Sequence, residues 1–208
     1  MRLRWSTRSP FVRKVMVCAH EMGLVDRLEL VPTTVVMGEP HLDLMRTNPL
    51  GRIPTLETDD GQILYDSVVI CEYLDTLHKG ESFFPRDPER RWRVLSRHAL
   101  ASGMLETGVL WRNESIRPEP QRSAKFLSAF ELKIRTAIPA LERDVEVLSS
   151  TPIDISHVSV ACALGYIDFR FPEFGWRKGH DRLTAWYETF LKRPSMQATI
   201  PVDNRPKT

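Results

Sequence analysis

A change of hydrophobic period near residue 80 constrains this chain more than any other feature. Before it, short runs with strand character alternate with amphipathic helical stretches; beyond it no strand pattern survives and apolar residues recur every three or four positions. A chain patterned this way folds as a mixed α/β unit followed by an all-helical one. Between His78 and Glu89 lie Gly80, Pro85 and Pro88 with little periodicity, the composition of an interdomain connection. The expected organisation is a first domain at 1–78, a linker at 79–88 and a helical domain at 89–208. A length of 208 residues with 42% apolar side chains suffices for two small cores.

In the first part, Leu3 and Trp5 alternate with Arg2 and Arg4, the period of a strand with one buried face. A polar turn at Ser6 to Ser9 follows, and Pro10 suits a first helical position because its missing N–H would be unpaired there. Val12, Val15, Met16 and Ala19 then mark one helical face up to Gly23, the natural stop. Leu28 to Val36 reads as a second strand, and a brief helix is expected at 41–46. Thr55 to Thr58 and Gln62 to Tyr65 form a hairpin around Asp59-Asp60-Gly61, after which Asp66 or Ser67 caps a helix with the stripe Ile70, Tyr73, Leu74 and Leu77. The order is β-α-β-α-β-β-α.

In the second part, Trp92, Leu95, Ala99 and Gly103 suggest one helical face, and Leu127, Phe130, Ile134, Ile138, Leu141, Val145 and Leu148 another, which Pro139 should kink or end. Thr151-Pro152-Ile153-Asp154 reads as a helix start with Thr151 as N-cap and Asp154 three residues on. Ile155 to Phe169 is apolar on nearly every side, the mark of a central buried helix. A last helix is expected from Asp181 to Lys192, with Pro194 just past its end and a loose polar tail from Val202 to Thr208.

Lysine and arginine number 29 against 27 acids, so a net charge of +2 points neither to nucleic acid nor to an anionic membrane surface. No secretory h-region and no run of roughly 20 apolar residues is present, which fits a cytoplasmic protein without a membrane span. Cys18, Cys71 and Cys162 are far apart among apolar residues and read as buried thiols, and the six histidines are scattered, so no metal site is expected. The basic run Arg90, Arg91, Arg93 and Arg97 around Trp92 reads as a solvated helix face, suited to a dimer contact, rather than as a nucleic-acid patch.

Several stretches, in order, carry a resemblance: the turn and helix Ser9-Pro10-Phe11-Val12-Arg13-Lys14-Val15, the loop Asn48-Pro49-Leu50-Gly51-Arg52-Ile53-Pro54, the cap Asp66-Ser67 before Val69 to Leu74, and the helix start at Thr151 to Asp154. Across residues 1 to 195 the chain resembles cytosolic glutathione transferases of the bacterial type, nearest to those with an N-terminal serine. The resemblance implies a thioredoxin-like α/β domain, with a cis peptide bond before Pro54, followed by an all-α domain: the glutathione transferase fold. It also implies a cytoplasmic homodimer that takes glutathione as co-substrate and detoxifies a small, largely apolar electrophile.

The chemistry required is ionisation of a thiol whose ordinary pKa lies near ~8.5, since the thiolate is the nucleophile. Lowering that value by about two units requires roughly 2.7 kcal/mol of preferential stabilisation of the anion. Ser9, where a helix begins, matches the family's activating serine and could donate a hydrogen bond to the thiolate; Ser6 is the runner-up, and a plain N-cap is the bland reading. By the same resemblance, Asp66 and Ser67 hold the γ-glutamyl end, Asp66 standing where glutamate is commoner. The Ile53 backbone before Pro54 pairs with the cysteinyl part as an added strand, and Arg52 and His41 reach the glycyl carboxylate. The implied second-substrate pocket draws on Phe11, Met104, Gly108, Trp111 and Arg112.

Asp154 is explained fully as a capping residue and carries no catalytic expectation. The competing reading is a non-catalytic transferase-like scaffold, such as a stress regulator that associates with RNA polymerase. Retention of Ser9, Ile53-Pro54 and Asp66-Ser67 together weighs against it, because a scaffold has no physical need for all of them.

Overall fold

The computed structural model describes residues 1–203; residues 204–208, part of the tail expected to be loose, lie outside the described residues. The chain divides into two compact units: Met1–Phe83 together with the segment from Pro194 onward, and Phe84–Arg193.

The first unit is built on a four-stranded sheet in the order β2-β1-β3-β4. β1 (Arg2–Trp5) lies parallel to β2 (Glu29–Pro32) and antiparallel to β3 (Thr55–Glu57), which pairs with β4 (Ile63–Leu64). Period-2 alternation sorts the side chains. Leu3 and its partner Leu56 are fully buried, whereas Arg2 on the other face reaches Glu29 at 3.4 Å and Glu57 at 3.5 Å. α1 (Pro10–Glu21) and α3 (Ser67–Asp75) pack against each other, burying Val12, Val15 and Val17 of the first and Ile70 and Leu74 of the second. Each such fully buried aliphatic side chain contributes about 1.5–3 kcal/mol. Gly23, with φ +67°, takes the left-handed step that ends α1. α2 (Leu42–Met45) is one turn. Asp75 ties off the unit: its Oδ1 accepts from Phe83 N at 2.7 Å and lies 3.0 Å from His78 Nε2.

The second unit is all helix. α4 (Pro88–Ser115) packs along α7 (Ile155–Arg170) and α5 (Ala124–Arg143), with α6 (Val145–Ser150) and α8 (Asp181–Leu191) completing it. α7 is the central element, buried without interruption from Ile155 to Ile167, as its all-round apolar pattern predicts. Cys18, Cys71 and Cys162 are free and buried.

Several elements differ from expectation for physical reasons. β2 stops at Pro32 because its partner β1 ends at Trp5, and Thr33 N closes the ladder on Trp5 O at 2.8 Å. Pro139 sits inside α5, which continues to Arg143, and the break falls at Asp144 instead. Packing of the buried Ile138 and Leu141 offsets the backbone bond a helical proline forfeits. The inward face of α4 is not Trp92, Leu95, Ala99 and Gly103. It is Val94, Arg97, His98, Ala101, Met104, Leu105, Gly108 and Trp111, while Trp92 is 65% exposed. Two charged-type residues on the buried face hid it from a hydrophobicity reading. Asp154, not Thr151, is the N-cap of α7, and Thr151 is the C-cap of α6. Finally, the segment from Pro194 does not stay with the helical unit: α9 (Pro194–Ala198) packs on α1 of the first.

Candidate functional site

The strand register gathers the conspicuous motifs of the first unit at one end of its sheet. Arg4 pairs with Thr55, so the Ser6 to Ser9 turn that leaves β1 and the Ile53-Pro54 loop that enters β3 emerge side by side. Leu64 pairs with Leu56, which sends Tyr65, Asp66 and the start of α3 out at that same end. Because β2 runs parallel to β1, the connection that carries His41 also leaves there. Residues far apart in sequence are thus converged by topology, with the N-termini of α1 and α3 directed to a common edge.

Each motif is held by local bonds. Ser9 is the N-cap of α1, half-buried, and its Oγ accepts from Val12 N at 3.3 Å. A hydroxyl that accepts keeps its own proton to donate, and helix α1 adds partial positive charge at this point. Ser6 Oγ instead accepts from Arg8 N at 3.4 Å within the turn. Asp66 caps α3 by accepting from Val68 N at 3.0 Å; its side chain is exposed, while Ser67 behind it is 2% exposed. His41 caps the short α2 through Nδ1, which accepts from Leu44 N at 3.2 Å.

The 48–55 loop is organised by Asn48, which carries no site role in the sequence analysis. Asn48 is 2% exposed and its Nδ2 donates to Arg52 O at 3.1 Å and Thr55 Oγ1 at 2.9 Å, while its Oδ1 accepts from Leu50 N at 3.1 Å. Thr55 Oγ1 in turn donates to Arg52 O at 2.8 Å. Gly51 has φ +58°, and a Cβ there would stand 3.0 Å from Met45 Cγ, so the loop admits only glycine comfortably. The Ile53-Pro54 peptide bond is cis, as is Tyr65-Asp66. Ile53 is half-buried and Arg52 exposed, whereas Pro54 is buried. An Asn three residues before a positive-φ glycine is the available signal for this buckle.

Phe11, half-buried on α1, has Lys14 Nζ 5.7 Å from its ring centre. The remaining pocket candidates belong to α4 of the helical unit. Met104 is 3% exposed, and Trp111 stacks on Phe171 with ring centres 4.0 Å apart. Gly108 is accounted for by packing: a Cβ there would lie 3.1 Å from Tyr166 Cδ1. Arg112 is half-buried and close enough to Tyr166 for its charge to be felt. Burial pushes the Tyr166 hydroxyl above its ordinary value, and Arg170 and Arg112 pull it part of the way back.

The helical unit also holds a buried polar cluster that no ligand is needed to explain. Asp154 Oδ1 accepts from Ser156 N at 2.9 Å and Ser156 Oγ at 2.6 Å and lies 2.8 Å from His157 Nδ1; His157 Nε2 meets Leu148 O at 3.1 Å. Burial alone would raise the Asp154 pKa, but the hydrogen bond and charge of His157, with those of Ser156, outweigh it and hold the carboxyl below its ordinary value. Arg97, expected on a solvated face, is buried and donates to Asp144 Oδ2 at 2.9 Å and Ser156 Oγ at 3.1 Å. Among the described residues, no cluster of three or more His, Cys, Asp or Glu could hold a metal ion, and no helix is long and apolar enough to cross a membrane.

An α/β unit with these motifs at one sheet edge, joined to an all-helical unit, is the architecture of a glutathione transferase. The family's N-terminal domain model matches residues 8–77 and its C-terminal domain model residues 125–189. Over 97% of its length the chain is 31% identical to the uncharacterized GST-like protein YibF of Escherichia coli (strain K12), covering 98% of that protein. A glutathione transferase family member from Pseudomonas fluorescens Pf-5, solved with bound glutathione, is 44% identical and superposes with a TM-score of 0.93 over 97% of this chain and 99% of its own. Its structure with bound S-(propanoic acid)-glutathione superposes with a TM-score of 0.89 at 43% identity, over 98% and 100% of the two chains. This chain belongs to the glutathione transferase family.

Proposed function

We propose that the chain binds glutathione at the sheet edge described above, ionises its thiol with help from Ser9, and directs the thiolate at a small electrophile. The observation that carries this reading is the convergence, at one end of the sheet, of the Ser9 turn, the Ile53-Pro54 loop and the Asp66-Ser67 cap. The tripeptide lies extended along the Ile53 backbone as an added strand. Its γ-glutamyl end, which carries both an ammonium and a carboxylate, meets Asp66 and the N-terminus of α3. Arg52 and His41, on the connection leading into the loop, face the glycyl carboxylate. The Ser9 hydroxyl donates to the sulfur, adding to the positive end of α1, so that the anion is favoured over the thiol.

The reaction then balances simply. The thiol proton leaves to solvent, a sulfur lone pair forms a bond to an electrophilic carbon, and the displaced group departs with its electron pair. A relative that holds glutathione with a propanoic acid group on its sulfur supports thiol-directed chemistry. Within the helical unit, Met104, Trp111 and Arg112 on α4 offer contacts for the second substrate, with Gly108 acting through packing.

Isothermal titration with glutathione, followed by conjugation to a generic aromatic electrophile, tests the proposal. Wild type binds glutathione, and Ser9→Ala lowers turnover by at least about tenfold with affinity changed by less than about twofold, because one preferential hydrogen bond to an anion amounts to about 1.5–3 kcal/mol. Absence of glutathione binding would sink the whole reading, whereas unchanged turnover in the variant would remove Ser9 alone and direct attention to Ser6.

A further inference from the structure

The C-terminal segment runs back along α1 and is fastened to it at three levels. At the far end of the helix, Ser195 Oγ donates to Glu21 Oε1. Midway, the buried Arg13 donates from Nη2 to Met196 O at 3.4 Å and from Nε to Thr199 Oγ1 at 3.5 Å. At the turn that precedes the helix, Thr7 Oγ1 donates to Val202 O at 2.9 Å, and Arg8 stands 4.0 Å from Asp203. As the tail number rises from 195 to 203, the partner falls from 21 through 13 to 7 and 8. The tail is therefore an antiparallel strap in a single register, and its last described residues close on the turn that presents Ser9.

From this register we infer that Pro194–Asp203 is part of the thiol-activating machinery, with Thr7 and Arg13 as its positioning residues. The inference rests on the proposed role of Ser9. Ser9 is tied forward to α1 by Arg13 N to Ser9 O at 3.0 Å, but inside the turn Ser9 N reaches Ser6 O at 3.4 Å and Arg8 N reaches Ser6 Oγ at 3.4 Å, both at the long limit of hydrogen bonding. A serine that must aim its hydroxyl at a sulfur atom needs its Cα fixed to well under an ångström. The 2.9 Å bond from Thr7 is shorter than either bond inside the turn and comes from a segment 195 residues distant in sequence. Arg13, one helical turn past Ser9, anchors the same strap to α1 itself through a residue that is only 7% exposed.

Thr7 and Arg13 touch no reacting atom in this account, and they act through where they leave Ser9. Removing the Thr7 hydroxyl should therefore loosen the turn and weaken thiolate stabilisation while the sheet and the helical unit stay intact. A merely structural role would lower the melting temperature and leave the titration of bound glutathione where it was.

The test uses the full chain with Thr7→Val, Thr7→Ser and Arg13→Met. Amide hydrogen exchange across residues 6–13 is read without ligand, and the ultraviolet absorbance of bound glutathione thiolate is read against pH. In Thr7→Val, exchange in this segment should quicken by about two- to tenfold, the equivalent of one lost hydrogen bond. The thiolate fraction at neutral pH should fall at least about twofold, the midpoint moving up. Thr7→Ser should restore both readings, and Arg13→Met should reproduce the Thr7→Val result. Unchanged exchange, or an unchanged thiolate midpoint in a folded Thr7→Val protein, overturns the inference. If wild type ionises no glutathione, the proposed function fails, and the exchange reading alone still decides whether the strap holds the turn.

Discussion

The two units of this molecule use polar side chains in opposite ways. In the helical unit, Asp154, Ser156 and His157 are each no more than 2% exposed and bond mainly to one another and to backbone. In the sheet unit, Ser9 and His41 are half-buried and Asp66 is exposed, each bonding one backbone N–H at a helix start. A buried group that is fully partnered contributes to stability and has nothing left for a ligand. A cap at the surface satisfies its helix and still presents a proton or a lone pair outward. The same residue types thus serve folding in one unit and, under the proposed function, recognition in the other, and burial with partner count separates the two.

The sharpest way to break this contrast is Asp154→Ala. It removes the cap of the central helix and leaves Ser156 and His157 without their shared acceptor, so unfolding free energy should fall by about 3 kcal/mol in urea titration. By comparison, Ser9→Ala should cost no more than about 1 kcal/mol, the usual worth of an N-cap, while carrying the loss of turnover. If Ser9→Ala proved the more destabilising of the pair, the division of labour would be wrong.

The acid limb sharpens the same point. In the unfolded chain Asp154 takes up a proton near its ordinary value of 3.8, whereas in the fold it stays ionised to lower pH. Below that ordinary value the unfolded state binds the proton and the folded state does not, so stability falls as pH drops, until the lowered folded pKa is passed. Above it, the contribution is fully present. Asp154→Asn should therefore trail wild type most at neutral pH and approach it in the acid, as urea midpoints taken at neutral pH and below about pH 4 would register.

Arg97→Met comes next, at about 1.5–2 kcal/mol. It deprives Asp144 of a charge-assisted bond, but the Asp144 side chain is 40% exposed and water takes up part of the loss, while Ser156 keeps Asp154. Gly108→Ala should cost about 1 kcal/mol by thermal unfolding. The added methyl presses on the Tyr166 ring at 3.1 Å, which is overpacking, and the gain in helix propensity returns only part of it. A stabilised Gly108→Ala protein would mean that Tyr166 has room to move.

How far all this was legible in the sequence follows the same division. The sheet unit was readable because its signals are local: the Asp59-Asp60-Gly61 turn, the Ser9-Pro10 helix start and the Asp66 cap each act within a few residues. The convergence of those motifs at one sheet edge was not readable from period or propensity, because strand register decides it. In the helical unit, Ile155 to Ile167 announced itself by being apolar all round. The inner face of α4 did not, since Arg97 and His98 look solvent-facing until their partners are known. His98 Nδ1 lies 2.7 Å from Ser159 Oγ, on α7, and that distance in sequence has no pattern. Asp154 reads as a capping residue from the sequence but occupies the N-cap rather than N3, because Thr151 and Asp154 both belong to the usual capping residues and only the backbone decides between them.

The smallest effect completes the comparison from within one basic run. Arg93 and Arg97 lie four residues apart on α4, so they sit on neighbouring turns, and composition treats them alike. Arg93 pairs with Glu89 at 2.7 Å, a shorter distance than Arg97 to Asp144, yet its side chain is 75% exposed and that of Glu89 78%. In water that pair gains little and costs the freedom of two long side chains, so Arg93→Ala should shift stability by no more than about 0.3–0.5 kcal/mol, and less in high salt. If Arg93→Ala matched Arg97→Met, short distance rather than burial would set the worth of these contacts; an effect several times smaller would give burial that role.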